Sequence, residues 1–375
     1  MPNSCKLTLC IIVKNEAHIV TNLLDSVRHV VDNYVVVDTG STDDTVRVLR
    51  EYSASCDQAF AVYSRPWRNF GHNRSEALAL ARTKNPDGYT LMLDADEQLI
   101  TPDGAVFDPA DAADVYTLTI NLGGTVYRRR MLFSNRKPWA YTGVIHEVAT
   151  CDGEVKQAHY TPWVVHSVHA GARSRDPNTY KRDAAALQAA LIDEPDNSRY
   201  VFYLAQSHYD SQDWLLAARY YTQRTQMGGW ADEVWFSHYR LGLIAYREAG
   251  KLTPAAVAKL LHAYSLDRSR AEPMHVLGML YKEMPVWPLA HLFLKQAYDV
   301  TVRAEATGAL SGNRLFIDAD LYAWRAAMEY AVACFYAGDY GAAVEVNDTI
   351  LQRDSLPEHI RTQVTKNQKF CTARV

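Results

Sequence analysis

The sequence has no apolar run approaching the roughly 20 residues needed to span a bilayer, and Met1 to Lys14 lacks the basic start and cleavage site of a secretory signal. The expectation is a soluble, cytoplasmic protein. Six cysteines (Cys5, Cys10, Cys56, Cys151, Cys334 and Cys371) form no CxxC pair and keep no regular spacing, which argues against structural zinc or a disulfide framework. Their expected state is reduced. No Gly-Lys-Ser/Thr Walker loop and no hydrolase triad is present, so P-loop nucleotide hydrolysis is not expected. Charge of one sign is also missing: 39 basic against 43 acidic residues leaves a formal net charge of −4, with no global field to draw in a nucleic-acid backbone.

What is present is enough apolar material for two packed cores, with 48% hydrophobic residues in 375. In the first 170 or so residues, short apolar runs alternate with helical patterns. Leu7 to Val13 is too apolar to have a wet face, as in a central parallel strand covered on both sides. Glu16 to Val31 carries Ile19, Leu23, Leu24, Val27 and Val31 at helical spacing. Tyr34 to Asp38 reads as a second buried strand, followed by a turn and a helix striped by Val46, Leu49 and Tyr52. A third helix over Gly71 to Thr83 precedes a strand over Tyr89 to Leu93. This alternation predicts a right-handed, mostly parallel α/β sheet, whose carboxyl edge is where ligands bind.

Beyond Gly171 the strand signals fade, and an all-α domain is expected, with the boundary between residues 172 and 173. Tyr203 to Tyr209, Arg240 to Tyr246 and His275 to Tyr281 share a small-residue and aromatic pattern. Leu204, Leu241 and Leu277 are separated by steps of 37 and 36, close to the roughly 34-residue tetratricopeptide period. The next step, to Val332, is 55 residues and holds the irregular stretch Thr307 to Arg314. The aromatics of these repeats read as solenoid packing.

Four segments of the first domain should meet at the carboxyl edge. Leu91 to Glu97 (Leu-Met-Leu-Asp-Ala-Asp-Glu) drives an apolar strand into two carboxylates spaced by one residue, so Asp94 and Asp96 can reach one divalent cation, and such a cation would hold a diphosphate. Lys14-Asn15-Glu16 follows the opening strand, with a helix cap as the plainer role of Asn15 or Glu16. In Asp38-Thr39-Gly40-Ser41-Thr42-Asp43, Asp38 is placed to accept from the imide N–H of a uracil and Gly40 permits a tight turn. Trp67 to Glu76 sets Asn73 and Arg74 at a helix start suited to a diphosphate, unless Arg74 is simply a surface charge.

Taken together, Cys10 to Glu16 (which includes Val13), Val36 to Asp43, Phe70 to Arg74 and Leu93 to Asp96 resemble glycosyltransferase family 2, enzymes of the nucleotide-diphospho-sugar transferase fold. That domain followed by tetratricopeptide-like helices is similar to a bacterial subgroup that includes peptide S-glycosyltransferases and enzymes decorating surface saccharides. The resemblance implies that Asp38 contacts the base, Asn73 and Arg74 the ribose and diphosphate, Asp94 the ribose or a metal-bound water, and Asp96 the metal. Trp139 to Glu147 resembles the family's acceptor-side segment, which makes Glu147 the candidate base of an inverting transfer and His146 the understudy. The plainer role of Glu147 is an ion pair with Arg128, Arg129 or Arg130. A histidine near the end of such domains supplies a third metal ligand, and both His166 and His169 qualify. They are three residues apart, so in an extended segment they face opposite sides and only one can bind. Two acids and an imidazole suit Mn²⁺ better than Mg²⁺. The further acidic pair common on the family's acceptor side has no match here.

The implied function is metal-dependent transfer of a sugar from a nucleotide diphosphate, uridine-based by expectation, to a peptide, protein or saccharide held partly by the helical domain. Ile120 to Gly124 is the expected wall of the sugar pocket. Arg128 to Arg130 and Arg173, Arg175, Lys181 and Arg182 are the basic clusters, read as solvated surface or as contacts to an anionic donor or lipid-linked saccharide. A transferase acting on a modified DNA base, which would need the base flipped out, is the weaker alternative. A helical-repeat scaffold without turnover is the alternative of another class. Dimerisation of the helical domain is left open.

Overall fold

The computed structural model describes residues 5–109, 112–123, 125–168, 170–308 and 314–375. The chain divides into two compact units, Met1–Pro195 and Asp196–Val375. The division falls after Pro195 rather than after residue 172 because the first unit retains a short 3₁₀ turn (Ala172–Arg175) and the helix Thr179–Asp193. Arg173 pairs with Asp183 of that helix, and the Ala172 N–H donates to Glu16.

In the first unit, β1 (Leu7–Val13), β2 (Asn33–Asp38), β3 (Ala59–Ser64) and β4 (Tyr89–Met92) are parallel, in the order β3-β2-β1-β4. Leu7, Leu9, Cys10 and Ile11 are fully buried, as the unbroken apolar run of β1 demands for a strand covered on both faces. Helices α1 (Val20–Val27), α2 (Thr45–Ala54) and α3 (Phe70–Lys84) alternate with these strands. α1 is shorter than the apolar stripe predicts. Asn15 takes a left-handed backbone (φ 61°), and the Ile19 and Val20 amides close on the Glu16 carbonyl, so the helix starts only at Val20.

The remaining strands are β5 (Glu97–Ile100), β6 (Val115–Leu122), β7 (Thr125–Ser134), a small hairpin of β8 (Ala140–Thr142) and β9 (Val148–Thr150), and β10 (Gln157–Ser167). They continue the sheet as β4-β7-β6-β10-β5, in which only the β6–β10 pairing is parallel. β5 thus lies at the far edge although only Leu93 to Asp96 separates it from β4. A flat sheet would put these strands about 19 Å apart, beyond the roughly 18 Å that five residue steps can reach. The sheet must curl, and the Leu99 N–H on β5 accordingly donates to Ser26 on α1. Inside the curl Phe107, Tyr116, Tyr160 and Trp163 pack ring against ring.

The second unit is a series of helical hairpins: α5 (Ser198–Asp210) with α6 (Trp214–Thr225), α7 (Ala231–Ala249) with α8 (Pro254–Leu266), α9 (Glu272–Glu283) with α10 (Trp287–Thr307), and α11 (Ala326–Ala337) with α12 (Tyr340–Leu351), closed by α13 (Glu358–Thr372). (The helix Thr179–Asp193 of the first unit is α4.) Gly242 and Gly278 occupy equivalent places 36 residues apart. A Cβ on Gly242 would stand 2.8 Å from Leu260, and one on Gly278 would stand 2.5 Å from Leu294, so each glycine lets the partner helix press against its backbone. Asp213 and Asp339 cap the second helices of their hairpins through the Leu216 and Ala342 amides. The long 55-residue step is filled by the 21-residue α10, by an insertion whose Phe316 packs on Phe202 and Phe236, and by a π-helical turn at Leu321–Arg325.

Candidate active site

The ends of β1, β2 and β4 deliver three of the four sequence-marked segments to one edge. The first two form a single knot. Asn15 accepts from the Thr42 amide at 2.7 Å, its own N–H donates to Ser41 Oγ at 2.9 Å, and the Glu16 N–H donates to Thr45 Oγ1 at 2.8 Å. The Val13 carbonyl accepts from the Thr39 N–H at 2.9 Å. Buried Asp38 accepts from the Ser41 amide at 3.1 Å and the Gly40 amide at 3.3 Å, a turn that needs the positive φ of Gly40 (102°). Asp38 therefore shapes the turn, with acceptor capacity left over.

Asn73 lies elsewhere than expected. It is fully buried under the loop before α3, where its Oδ1 accepts from the Arg68 N–H at 3.0 Å and its Nδ2 donates to the Pro66 carbonyl at 3.1 Å. Its amide holds that loop.

Arg74 is not a surface charge. From the first turn of α3 it sits buried between the rings of Phe70 and Tyr141, with one nitrogen 2.5 Å from Asp94 Oδ1 and Nε 2.8 Å from Glu147 Oε1. The plainer partners expected for Glu147, Arg128 to Arg130, are not the ones its ion pair uses. What brings Glu147 to Arg74 is the contact of α3 with β8: a Cβ on Gly71 would stand 2.2 Å from the Gly143 carbonyl oxygen, so only glycine admits this approach. The Tyr141 N–H donates to Ser75 Oγ at 2.8 Å in the same contact. Positive φ at Gly143 (117°) and at exposed His146 (51°) bends the segment so that Glu147 turns inward.

The opposite side of Asp94 is held by Arg129 on β7, at 3.3 Å from Oδ2. Arg129 in turn grips both oxygens of buried Glu97 at 2.8 and 2.7 Å, and Glu97 accepts from the Asp94 N–H at 2.9 Å. The side chains thus form a chain of alternating charge, Glu147, Arg74, Asp94, Arg129, Glu97. Although burial opposes it, the Arg74 and Arg129 guanidiniums hold the Asp94 carboxyl below its usual range. Burial pushes Glu97 up, against the pull of Arg129.

In the sequence, Arg129 stands out only within the basic cluster Arg128 to Arg130, as solvated surface or a contact to an anionic donor, and Glu97 only at the end of the Leu91–Glu97 segment. A signal was present, because period-two alternation on a strand sets Arg129 on the face opposite Arg128 and Arg130. Arg128 is exposed on that other face, and Arg130 reaches Gln157 and the Ala149 carbonyl.

Asp96 takes a different partner from Asp94. Its Oδ2 accepts from the Gly171 N–H at 3.2 Å, while Glu16 accepts from the neighbouring Ala172 N–H at 3.1 Å and His18 bonds the Ala170 carbonyl at 2.9 Å. Burial, with the Asp96 charge adding to it, pushes the Glu16 carboxyl up to about 7. His166 is exposed on β10 in register with Gln98, one pleat away from the face of Glu97. His169 and Gly124 lie outside the described residues. Among the described residues no cluster of three His, Cys, Asp or Glu side chains is arranged around a cation position, and no helix is long and apolar enough to cross a membrane.

Residues 8–175 match the model of the glycosyl transferase family 2. An uncharacterized glycosyltransferase of Rickettsia felis is 35% identical over 94 residues, which cover 25% of this chain and 30% of that protein, so the chain matches under a third of that relative's length. A TPR repeat-containing protein of Synechococcus elongatus is 26% identical over 325 residues, 80% of this chain and 75% of that protein. Among solved structures, MamA aligns with a TM-score of 0.34 at 14% identity over 55% of this chain and 99% of its own. YrrB, a TPR protein with an unusual peptide-binding site, aligns with a TM-score of 0.33 at 15% identity over 50% of this chain and 84% of its own. The repeat character of the second unit rests on its own glycine-packed hairpins. The family 2 match thus falls on the unit that carries the charged edge.

Proposed function

We propose that this chain is a metal-dependent, inverting glycosyltransferase, moving a sugar from a uridine-based nucleotide diphosphate to a peptide, protein or saccharide acceptor. The observation that carries the reading is the charged chain at the carboxyl edge of a family 2 domain. Glu147, Asp94 and Glu97 alternate there with Arg74 and Arg129, and Glu16 and Asp96 sit on the neighbouring Ala172 and Gly171 amides. A nucleoside diphosphate brings further negative charge to an edge already rich in carboxylates, so its binding calls for a cation. Oxygen donors suit the hard cations Mg²⁺ and Mn²⁺, and Asp96, with one oxygen shared with a backbone amide and acceptor capacity left, is the residue assigned to hold one. When bound, the cation would supply neutralising charge to the leaving diphosphate.

The protein's own residues supply the rest. Asp38 accepts from the base, Asp94 from the ribose, and the Asn15–Ser41 knot sets the floor of the nucleotide site. Glu147, kept in place by Arg74, removes the proton from the attacking acceptor as the bond from the sugar's anomeric carbon to the diphosphate breaks. Acceptor choice is assigned to the second unit, whose hairpins offer a repeat surface.

The test is release of nucleoside diphosphate from a panel of nucleotide sugars, with and without Mn²⁺, by the native chain and by Asp96→Ala. Release from one donor that depends on Mn²⁺ and falls by about 10²- to 10³-fold in the variant is expected. Turnover that is indifferent to divalent cations and to Asp96 would overturn the metal assignment. Absence of both release and nucleotide binding would leave a scaffold.

A further inference from the structure

Arg74 and Arg129 flank the same carboxylate but are not equivalent. Arg74 has its two partners at 2.5 and 2.8 Å, lies between two aromatic rings, and leaves only 11% of its side chain exposed. Little of it faces solvent, where a ligand would arrive. Arg129 keeps 32% of its side chain exposed. One of its nitrogens serves both oxygens of Glu97, a carboxylate only 3% exposed that acts as a fixed anchor, and another makes the long 3.3 Å contact to Asp94. A guanidinium carries five N–H donors in a rigid fork. The contacts of Arg129 leave donors unused on a side chain that solvent reaches.

We propose that Arg129 is a ligand of the donor's diphosphate, contributed by β7. This rests on the nucleotide-sugar reading above and moves the diphosphate contact from Arg74, where the sequence motif pointed, to a residue the motif does not include. Glu97 aims the guanidinium before any ligand arrives, so no reorganisation is required at the moment of binding. A phosphate oxygen replaces the weak Asp94 contact, and Asp94 keeps its short pair with Arg74. In the transfer, the bond between the anomeric carbon and the bridging oxygen breaks with its electron pair left on the diphosphate. The acceptor atom bonds to that carbon from the other side and gives its proton to Glu147. Arg129 then faces the oxygen on which negative charge grows.

The experiment measures binding of each common nucleoside diphosphate, and separately of its parent nucleoside, to the full-length chain in the presence of Mn²⁺. It compares the native protein with Arg129→Gln, Arg129→Lys, the double variant Glu97→Gln/Arg129→Gln and the opposite-face control Arg128→Gln. Expected is a loss of about 10- to 100-fold in diphosphate affinity for Arg129→Gln and for the double variant, with nucleoside affinity unchanged and partial recovery in Arg129→Lys. The double variant removes the buried carboxylate together with its cation, so it carries the test even where Arg129→Gln alone fails to fold. Native diphosphate affinity in the double variant, or an equal fall for diphosphate and nucleoside, overturns the assignment and leaves the donor reading standing. A native chain that binds no nucleoside diphosphate overturns both.

Discussion

Both units bury arginine against carboxylate, and they do it differently. In the second unit Arg224 is fully buried. Its Nε and one terminal nitrogen bond Glu233, and its terminal nitrogens also reach the Gly228 and Trp230 carbonyls. Arg270 lies 4.0 Å over the Trp235 ring, pairs with Glu272 and donates to the Leu315 carbonyl, while Tyr322 donates to the other oxygen of Glu272. These groups end on backbone carbonyls or a hydroxyl and staple loops to helices. In the first unit the chain from Glu147 to Glu97 runs side chain to side chain across three elements and stays partly open at Asp94 and Arg129. A buried ion pair closed by the backbone reads as structure, and one left open at a strand edge reads as a site.

That contrast can be broken by experiment. Glu147→Gln should lower donor turnover by about 10²- to 10⁴-fold while leaving nucleoside-diphosphate affinity and the unfolding midpoint near native, as read from nucleotide-release kinetics and urea titration. A variant that unfolds instead would place Glu147 with the staples. Arg224→Ala should do the reverse, costing about 3–5 kcal/mol of stability by leaving buried Glu233 only its longer pair with Arg199, with donor binding unaffected. Loss of nucleotide affinity there, at a denaturant concentration where the chain stays folded, would erase the distinction.

His275 on α9 sharpens the comparison at smaller scale. Burial, helped by nearby Arg325, pushes its imidazole down to about 4. The unfolded chain takes up a proton near its ordinary 6.5 and the folded chain only near 4. The stability it contributes is therefore full above the higher value and is lost as pH falls through that window. The loss is at most about 3 kcal/mol. His275→Gln should flatten that stretch of the stability–pH curve measured by urea titration, and an unchanged slope would show that other groups set it.

The parallel half of the sheet and the helical hairpins were legible because their patterns are local: apolar runs on buried strands, small residues at a fixed step. The knot of Asn15, Asp38 and Ser41 and the Asp94–Asp96 turn were legible for the same reason. The pairing of Arg129 with Glu97 was not, since it depends on β7 returning beside β4 in antiparallel register, with Tyr89 opposite Ser134. Asn73 misled because a polar residue at a helix start is equally suited to a ligand and to a loop, and only the Pro66–Arg68 backbone decides between them. The extent of α4 in the first unit hinges on the Arg173–Asp183 pair, which no composition change announces.

The curl that returns β5 to the far edge makes the four residues between β4 and β5 a matter of parity. Glu97 and Leu99 point inward, to Arg129 and to the core, while Ile100 faces out. Inserting or deleting one residue among Leu93 to Asp96 would exchange the two faces of β5, presenting Gln98 to the core and turning Glu97 to solvent, away from its arginine. Substitution can retune the carboxylates of this turn one at a time. A change in its length cannot be absorbed locally, so natural or engineered variation in loop size has to fall elsewhere in the domain.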